Sequence, residues 1–377
     1  MGRAASGETA RILVISGSVG AGHDGAADEL IERLQTWGVR AERRDYLDAV
    51  PRFARLVLRE GYTLSIGYAP RFFEWLFVSL ERSGWVQRIT LGLCHLARPR
   101  VRRWAKDFPV VVSTYPLASQ TLGQLRGAGA LDATTVTFLT DPAVHRMWVH
   151  PEVDHHLTVT EATSRMGRLM YRTAMQPVGG LVSARFREHP SPDLRASARA
   201  ELGLRPDRPV VLLVAGSLGL GDVPDAVREI AGTGCAQVLV LCGRNARLRA
   251  ELEGMENVLA LGWRDDVPAL MSLADVLVHN AGGLTLTEAL TAGLPAITFR
   301  PIPGHGAANA AALAEAGLAP WPKDVDELTA LLREHELLRC DPGAVIREPD
   351  AARTVLRLLA GDDPVGDVGD GAARQTA

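Results

Sequence analysis

Short apolar runs followed by glycine-rich turns and amphipathic helices recur along the chain. Residues 11–16, RILVIS, form a run of the kind buried on both faces in a parallel sheet. The run enters the turn Gly17-Ser18-Val19-Gly20-Ala21-Gly22. A helix follows, with Ala26, Ala27, Leu30, Ile31 and Leu34 on one face and Asp28, Glu29, Glu32 and Arg33 opposite. The same order returns at 209–221, where VVLLVA leads into Gly216-Ser217-Leu218-Gly219-Leu220-Gly221 and a helix around 223–231. The two openings lie about 200 residues apart, which predicts a duplicated α/β architecture of two Rossmann-like halves. Further strands are predicted at 109–113, 134–139 and 155–160, then at 236–243, 256–262, 274–280 and 294–299. Helices are predicted at 245–253, 266–273, 283–292 and 304–316. Residues 179–193 read as the connection between halves, and the Gly/Asp-rich tail from Gly361 is predicted to be disordered.

The glycine turns bring the first chemistry. The first has the spacing G-x-x-G-x-G and not the dinucleotide fingerprint G-x-G-x-x-G. Gly17 and Gly22 have the outer spacing of a phosphate loop. However, His23 stands where that loop needs Lys, and Asp24 where it needs Ser or Thr for magnesium. What remains is a backbone that a ligand can approach closely, a helix N-terminus behind it and an imidazole at its rim. His23 can take a proton from a hydroxyl, or merely bond backbone carbonyls at a helix start, and taken alone the two readings stand even. In the second half, residues 279–288 (HNAGGLTLTE) join a strand end to a helix start and expose amides to a phosphate. Glu288 could grip a ribose diol, or could be a first-turn acid favoured by the helix dipole alone.

Four blocks in order carry a family resemblance over nearly the whole chain, to about residue 335: GSVGAGHDGAA (17–27), TDPAVHRMWVHPEVD (140–154), LCGRN with LGWRDDVPALMSLADV (241–245 and 261–276), and NAGGLTLTEALTAGLP with PIPGHGAAN (280–295 and 301–309). The chain resembles the GT-B glycosyltransferases of the group containing monogalactosyldiacylglycerol synthase, processive diacylglycerol glucosyltransferases and the lipid II N-acetylglucosaminyltransferase. The resemblance implies an α/β GT-B fold, two Rossmann-like domains facing each other across a cleft. It implies that His23 is the base activating an acceptor hydroxyl, with Asp141 in support. It further implies that Gly216, Ser217, Gly219, Gly282, Gly283, Leu284 and Thr285 meet the donor diphosphate. Glu288 would take the ribose, and the backbone from Trp263 to Val267 would read uracil. Arg244, His305 and Asn309 join the implied donor site, and Gly20, Gly22, His145 and Trp148 the acceptor site. Inverting transfer with UDP leaving is the implied reaction, with no cofactor beyond the UDP-sugar co-substrate and no metal. Two departures stand out. Residues 303–307 read PGHGA where diacylglycerol-type relatives carry Gln and acidic residues, which leaves the sugar open. Asn280 follows His279 where related families often place a His.

Composition modifies this picture in a few places. The chain is 47% hydrophobic with a net charge of −3, which disfavours a general nucleic-acid binder. Cys94, Cys235, Cys242 and Cys340 form no C-x-x-C pair and read as reduced thiols. The first ten residues lack a signal-type apolar stretch, and no apolar run approaches a membrane span. His145, His150, His155 and His156 cluster near Asp141 and Asp154, where a cleft loop is the favoured reading over a metal site. Residues 51–106 carry ten Arg and one Lys against three Glu, an excess of eight positive charges, and hold nine of the twenty aromatics. That pattern suits an interfacial helix on an anionic membrane, or an amphipathic helical pair that buries its aromatics and solvates its arginines. The domain expectation is 1–180 for the acceptor and 181–345 for the UDP-sugar. A C-terminal helix follows at 346–360, with a crossing back to the first domain as one path, and then the tail 361–377. The expected function is transfer of a hexose or N-acetylhexosamine from a UDP-sugar to a lipid acceptor such as diacylglycerol, in the cytoplasm or on the inner membrane face. A transferase for soluble natural products, a UDP-sugar epimerase or hydrolase, and a binding-only relative remain as alternatives.

Overall fold

Apolar runs with no polar face are accommodated only inside a sheet covered on both sides, and that requirement arranges both halves of the chain. The computed structural model describes residues 11–362, apart from Ala215, Ser217, Leu218 and Ala281 and the side chains of Tyr62 and Thr63. Ser217 and the tail from 363 onward therefore lie outside the described residues. The first half runs β1 (Arg11–Ser16), α1 (Ala21–Thr36), β2 (Arg40–Asp45), α2 (Arg52–Tyr68), α3 (Pro70–Glu81), α4 (Trp85–Ala105), β3 (Val110–Ser113), α5 (Pro116–Gly127), β4 (Thr134–Leu139), β5 (His155–Thr158), α6 (Glu161–Tyr171) and β6 (Gln176–Pro177). Its six strands pair in parallel in the order β2-β1-β3-β4-β5-β6.

The second half runs α7 (Pro192–Glu201), β7 (Val210–Val214), α8 (Val223–Gly232), β8 (Gln237–Leu241), α9 (Ala246–Leu252), β9 (Val258–Leu261), α10 (Val267–Leu273), β10 (Val276–His279), α11 (Gly283–Thr291), β11 (Ala296–Thr298), α12 (His305–Glu315), α13 (Val325–Arg333) and α14 (Ala351–Ala360). Its five strands are parallel in the order β11-β10-β7-β8-β9. These are the two Rossmann-like halves that the recurring pattern predicts.

The differences from the sequence reading have physical causes. β2, RAERRD, has no apolar run; it is an edge strand paired on one side only, so its charges stay wet. Residues 51–106 form three helices where the sequence reading offers an interfacial helix or an amphipathic pair, because Ala69-Pro70 and the Ser83-Gly84 turn divide them. The C-terminal helix begins at Ala351, later than 346, with Asp350 accepting the amide of Arg353 as its cap. α14 lies against α1, where Arg33 reaches Asp350 at 3.0 Å and donates to the Val182 carbonyl at 2.6 Å.

Candidate active site

Each sheet reverses its strand order at one point, and the crevice at the carboxyl ends of the strands flanking that point is where ligands bind in such sheets. In the first sheet the reversal falls between β1 and β3, below the turn at residues 17–20 and below Thr114-Tyr115. In the second it falls between β7 and β10, below Gly216, residues 219–221, Asn280 and Gly282. The two crevices face each other across one cavity of about 320 Å³, lined by Gly20 and Gly22 from one side and by Gly216, Gly282 and Glu288 from the other.

His23 lies in the first turn of α1 as a half-buried ring. Its Nδ1 is 3.1 Å from Thr140 Oγ1, and its backbone carbonyl accepts from Thr114 Oγ1 at 3.0 Å. Tyr115 packs edge-on at 5.3 Å between ring centroids, and Trp148 packs at 5.7 Å. Burial lowers the proton affinity of His23 below the ordinary histidine value, and the charges of Asp141 and Asp24 offset part of that. The imidazole is accordingly neutral at pH 7. The Thr114 carbonyl also accepts from the ring, and with the Nδ1 proton assigned to this side Nε2 keeps a lone pair. Asp141 sits one residue beyond Thr140, and Trp148 Nε1 donates to its Oδ2 at 2.9 Å. Trp148 is buried, so it holds Asp141 and packs on His23, a different task from the acceptor contact implied by resemblance.

On the opposite wall, of the residues that the resemblance implies for the donor, Trp263, Val267, Gly282, Gly283, Leu284, Thr285 and His305 all line the cavity together with Gly216. Glu288 stands one turn into α11, with burial pushing its carboxyl up to about 8. Leu284 packs onto Gly25 of α1, whose added Cβ would lie 2.8 Å from it. Gly283 faces the Thr140 carbonyl, which a Cβ there would meet at 2.2 Å. These contacts draw the α11 N-terminus against the loop that carries Asp141. Three residues implied for the donor site stand behind the cavity and do not line it. Gly219, at φ +59, packs against Asn245. The Arg244 guanidinium stacks 4.3 Å over the Trp263 ring. Asn309 is buried and points to the Asp141 loop, accepting from the Ala143 amide at 3.0 Å.

His145 comes to the same side of the cleft, but both ring nitrogens serve the fold. Nδ1 accepts from the Met147 amide, and Nε2 lies 3.2 Å from the Phe77 carbonyl and 3.3 Å from Glu81. Through it, α3 is fastened over the cleft, and Phe77 and Phe73 close over Gly304. His150 and His156 do not line the cleft: His150 presses on Gly123 of α5, and His156 is buried behind it. Among the described residues no group of three or more metal-binding side chains converges.

Sequence reasoning passed over several residues that hold the site. Asp24, read there only as a missing magnesium ligand, accepts from Ser16 Oγ at 2.6 Å and Ser18 Oγ at 3.0 Å and so ties the first glycine turn shut. Asn280, noted in the sequence only for standing where related families often place a His, donates to the Leu220 carbonyl at 2.8 Å and fixes the second turn. Thr140, Thr114 and Tyr115 are strand-end residues. Their signal lies in position alone, at the carboxyl edge beside a reversal point.

Comparison with known proteins bears on the fold and on the class of enzyme. The family model described as monogalactosyldiacylglycerol (MGDG) synthase matches residues 23–168, and that for glycosyl transferases group 1 matches residues 197–341. A processive diacylglycerol beta-glucosyltransferase of Bacillus cereus is 22% identical over 96% of this chain and 92% of its own. A Bacillus licheniformis protein of the same name is 22% identical over 82% of each chain. Among solved structures, MurG of Acinetobacter baumannii superposes with a TM-score of 0.55 at 18% identity, covering 94% of this chain and all of that one. The glycosyltransferase SnogD of Streptomyces nogalater gives 0.55 at 18% identity, over 94% and 99%. With its two parallel sheets meeting across one cavity, the chain is a glycosyltransferase of the GT-B fold.

Proposed function

We propose that the protein is an inverting transferase that moves a hexose or N-acetylhexosamine from a UDP-sugar to a lipid acceptor such as diacylglycerol, working against an anionic membrane surface. The observation that carries this reading is a neutral, half-buried His23 beside a cavity whose far wall offers the α11 N-terminus and Glu288. The acceptor hydroxyl oxygen attacks the anomeric carbon in line as the bond to the β-phosphate oxygen breaks, and the hydroxyl proton passes to His23 Nε2. The charge released onto UDP is met by backbone amides at the start of α11 and in the 216–221 turn. Uracil stacks near the Trp263–Val267 segment, and the ribose diol reaches Glu288.

The names of the relatives support a lipid acceptor, and the surface of α2–α4 supports a membrane. Phe53, Tyr68, Phe72, Trp75 and Trp85 are exposed there, with Phe72 against Trp75 at 5.6 Å and Trp75 against Trp85 at 6.1 Å. Arginines surround them, and each can add about 1 kcal/mol near anionic lipid. Among the described residues no helix is long and apolar enough to cross a membrane.

The test is incubation with a panel of UDP-hexoses and UDP-N-acetylhexosamines, with and without vesicles containing diacylglycerol, read by product mass spectrometry. A glycolipid should form, with UDP release that depends on the vesicles. His23→Ala should keep UDP affinity and lose transfer by about 10²–10⁴-fold. Sugar release without acceptor would point instead to a hydrolase, an altered UDP-sugar to an epimerase, and transfer only to soluble acceptors to a natural-product enzyme. Transfer undiminished in His23→Ala removes it as the base.

A further inference from the structure

Asp141 belongs to the first half of the chain, yet one of the groups that orients it comes from the second. Asn309, on the second turn of α12, is 1% exposed and does not line the donor cavity. Its Oδ1 accepts from the Ala143 amide at 3.0 Å, and its Nδ2 lies 3.4 Å from Asp141 Oδ1. The amide can be oriented in one way only, because an N–H faces one end and a carboxylate the other. Trp148 Nε1 occupies the second carboxylate oxygen. The carboxylate is thus gripped from both sides, once from its own loop and once across the cleft.

No direct bond joins Asp141 to His23, whose Nδ1 is taken by Thr140. The carboxylate therefore acts on the imidazole through space, and in a partly desolvated site the size of that effect is set by how close its charged oxygens are held to the ring. The charged and titratable groups around His23 are Asp24 on its own helix, Asp141 on the loop after β4 and His305 at the start of α12. Tyr115 and Trp148 fill the remaining sides. Of these acidic groups, Asp24 is held by Ser16 and Ser18 within the first half, whereas Asp141 is held partly from α12.

We propose that Asn309 is a positioning residue that aims Asp141 at His23 from the opposite lobe, so that the proton acceptor reaches full strength only while the two lobes are closed on each other. The inference rests on His23 as the base of the proposed transfer. It differs from a donor-contact role for Asn309 in what it leaves unchanged, since the grip acts on the acceptor side of the cleft and the sugar nucleotide is held elsewhere.

The experiment compares the full chain with Asn309→Ala, which loses the grip, and the near-isosteric Asn309→Asp, which can still accept from Ala143 and shares a proton with Asp141 because two buried carboxyls in contact do not both ionise. Three quantities are read: UDP affinity, the pH profile of transfer, and the His23 titration followed directly by NMR of histidine-labelled protein. In Asn309→Ala, UDP affinity should stay within about twofold, kcat should fall tenfold or more, and the His23 titration and the acid limb of transfer should both move to lower pH. In Asn309→Asp the shared proton restores a hydrogen bond to Asp141 at unchanged net charge, so both should stay close to their positions in the unsubstituted protein. Unmoved His23 titration in Asn309→Ala would overturn the proposal, as would a loss of UDP affinity with kcat preserved. The NMR arm separates this from the parent reading. If His23→Ala retains transfer, the base assignment fails, while a shifted His23 titration in Asn309→Ala still stands as evidence of the cross-lobe grip.

Discussion

Glu288 has its carboxyl pushed up to about 8 by burial on the cavity wall, so at neutral pH it carries its proton most of the time. A ribose diol donates two hydrogen bonds best to the ionised form. Binding that selects the carboxylate must expel the proton, so affinity for a UDP-hexose should rise with pH, by up to about tenfold per pH unit below 8. Calorimetric titration between pH 6.5 and 9 checks this, and Glu288→Gln should flatten the dependence and weaken binding. An equal slope in the variant would remove Glu288 from ribose binding. The residue itself is legible in the sequence as an acid one turn into a glycine-led helix. Its altered acidity is not, because burial arises where α11 meets α1, and Leu284 against Gly25 is a contact between residues about 260 positions apart. Likewise His23 is visible as an imidazole at a glycine turn, while Thr140, which orients it, has no local signal.

At the scale of elements, the lobes meet through backbone approaches that leave no room for a methyl group. Gly283→Ala would place a Cβ 2.2 Å from the Thr140 carbonyl, and Gly282→Ala, one residue earlier, would meet nothing within 4 Å. Gly283→Ala should therefore cost about 1–3 kcal/mol in denaturant unfolding or force α11 away from the loop, and Gly282→Ala much less. Equal effects of the two would show that α11 does not seat on that loop. The aromatic surface yields a separate expectation. Trp75→Ser with Trp85→Ser should reduce sedimentation with vesicles rich in anionic lipid while leaving UDP binding intact, since neither residue lines the cavity. The strands are legible because parallel strands buried on both faces must be apolar throughout. β2 escapes because an edge strand is free to be charged. The layout of α2–α4 escapes because an aromatic residue reads the same whether it faces the core, as Phe73 does, or solvent, as Trp85 does.

Over the whole molecule, buried neutral histidines set the behaviour in acid. Burial holds His156 and His279 down at about 4, and His23, His145, His150 and His305 also lie below the ordinary value. Below pH 6.5 the unfolded chain takes up these protons and the folded chain does not; Glu288, protonated in the fold up to about 8, works the other way, but it is one group against six, so stability should fall as pH drops from 6.5 toward 4. His156 and His279 contribute on the order of 3 kcal/mol each once fully expressed. Thermal midpoints measured at pH 7 and 4.5 should show the drop, and a His279→Gln variant should show a smaller one. A last consequence concerns inheritance. Each half of the chain supplies its own sheet, yet Asn309 meets Ala143 and Asp141 across more than 160 positions of sequence. A crossover between related genes near residue 180 would hand each descendant two intact sheets and an unmatched pair at 141 and 309. Such halves are exchangeable as architecture but not as chemistry, and only recombinants that carry the two positions together would keep both.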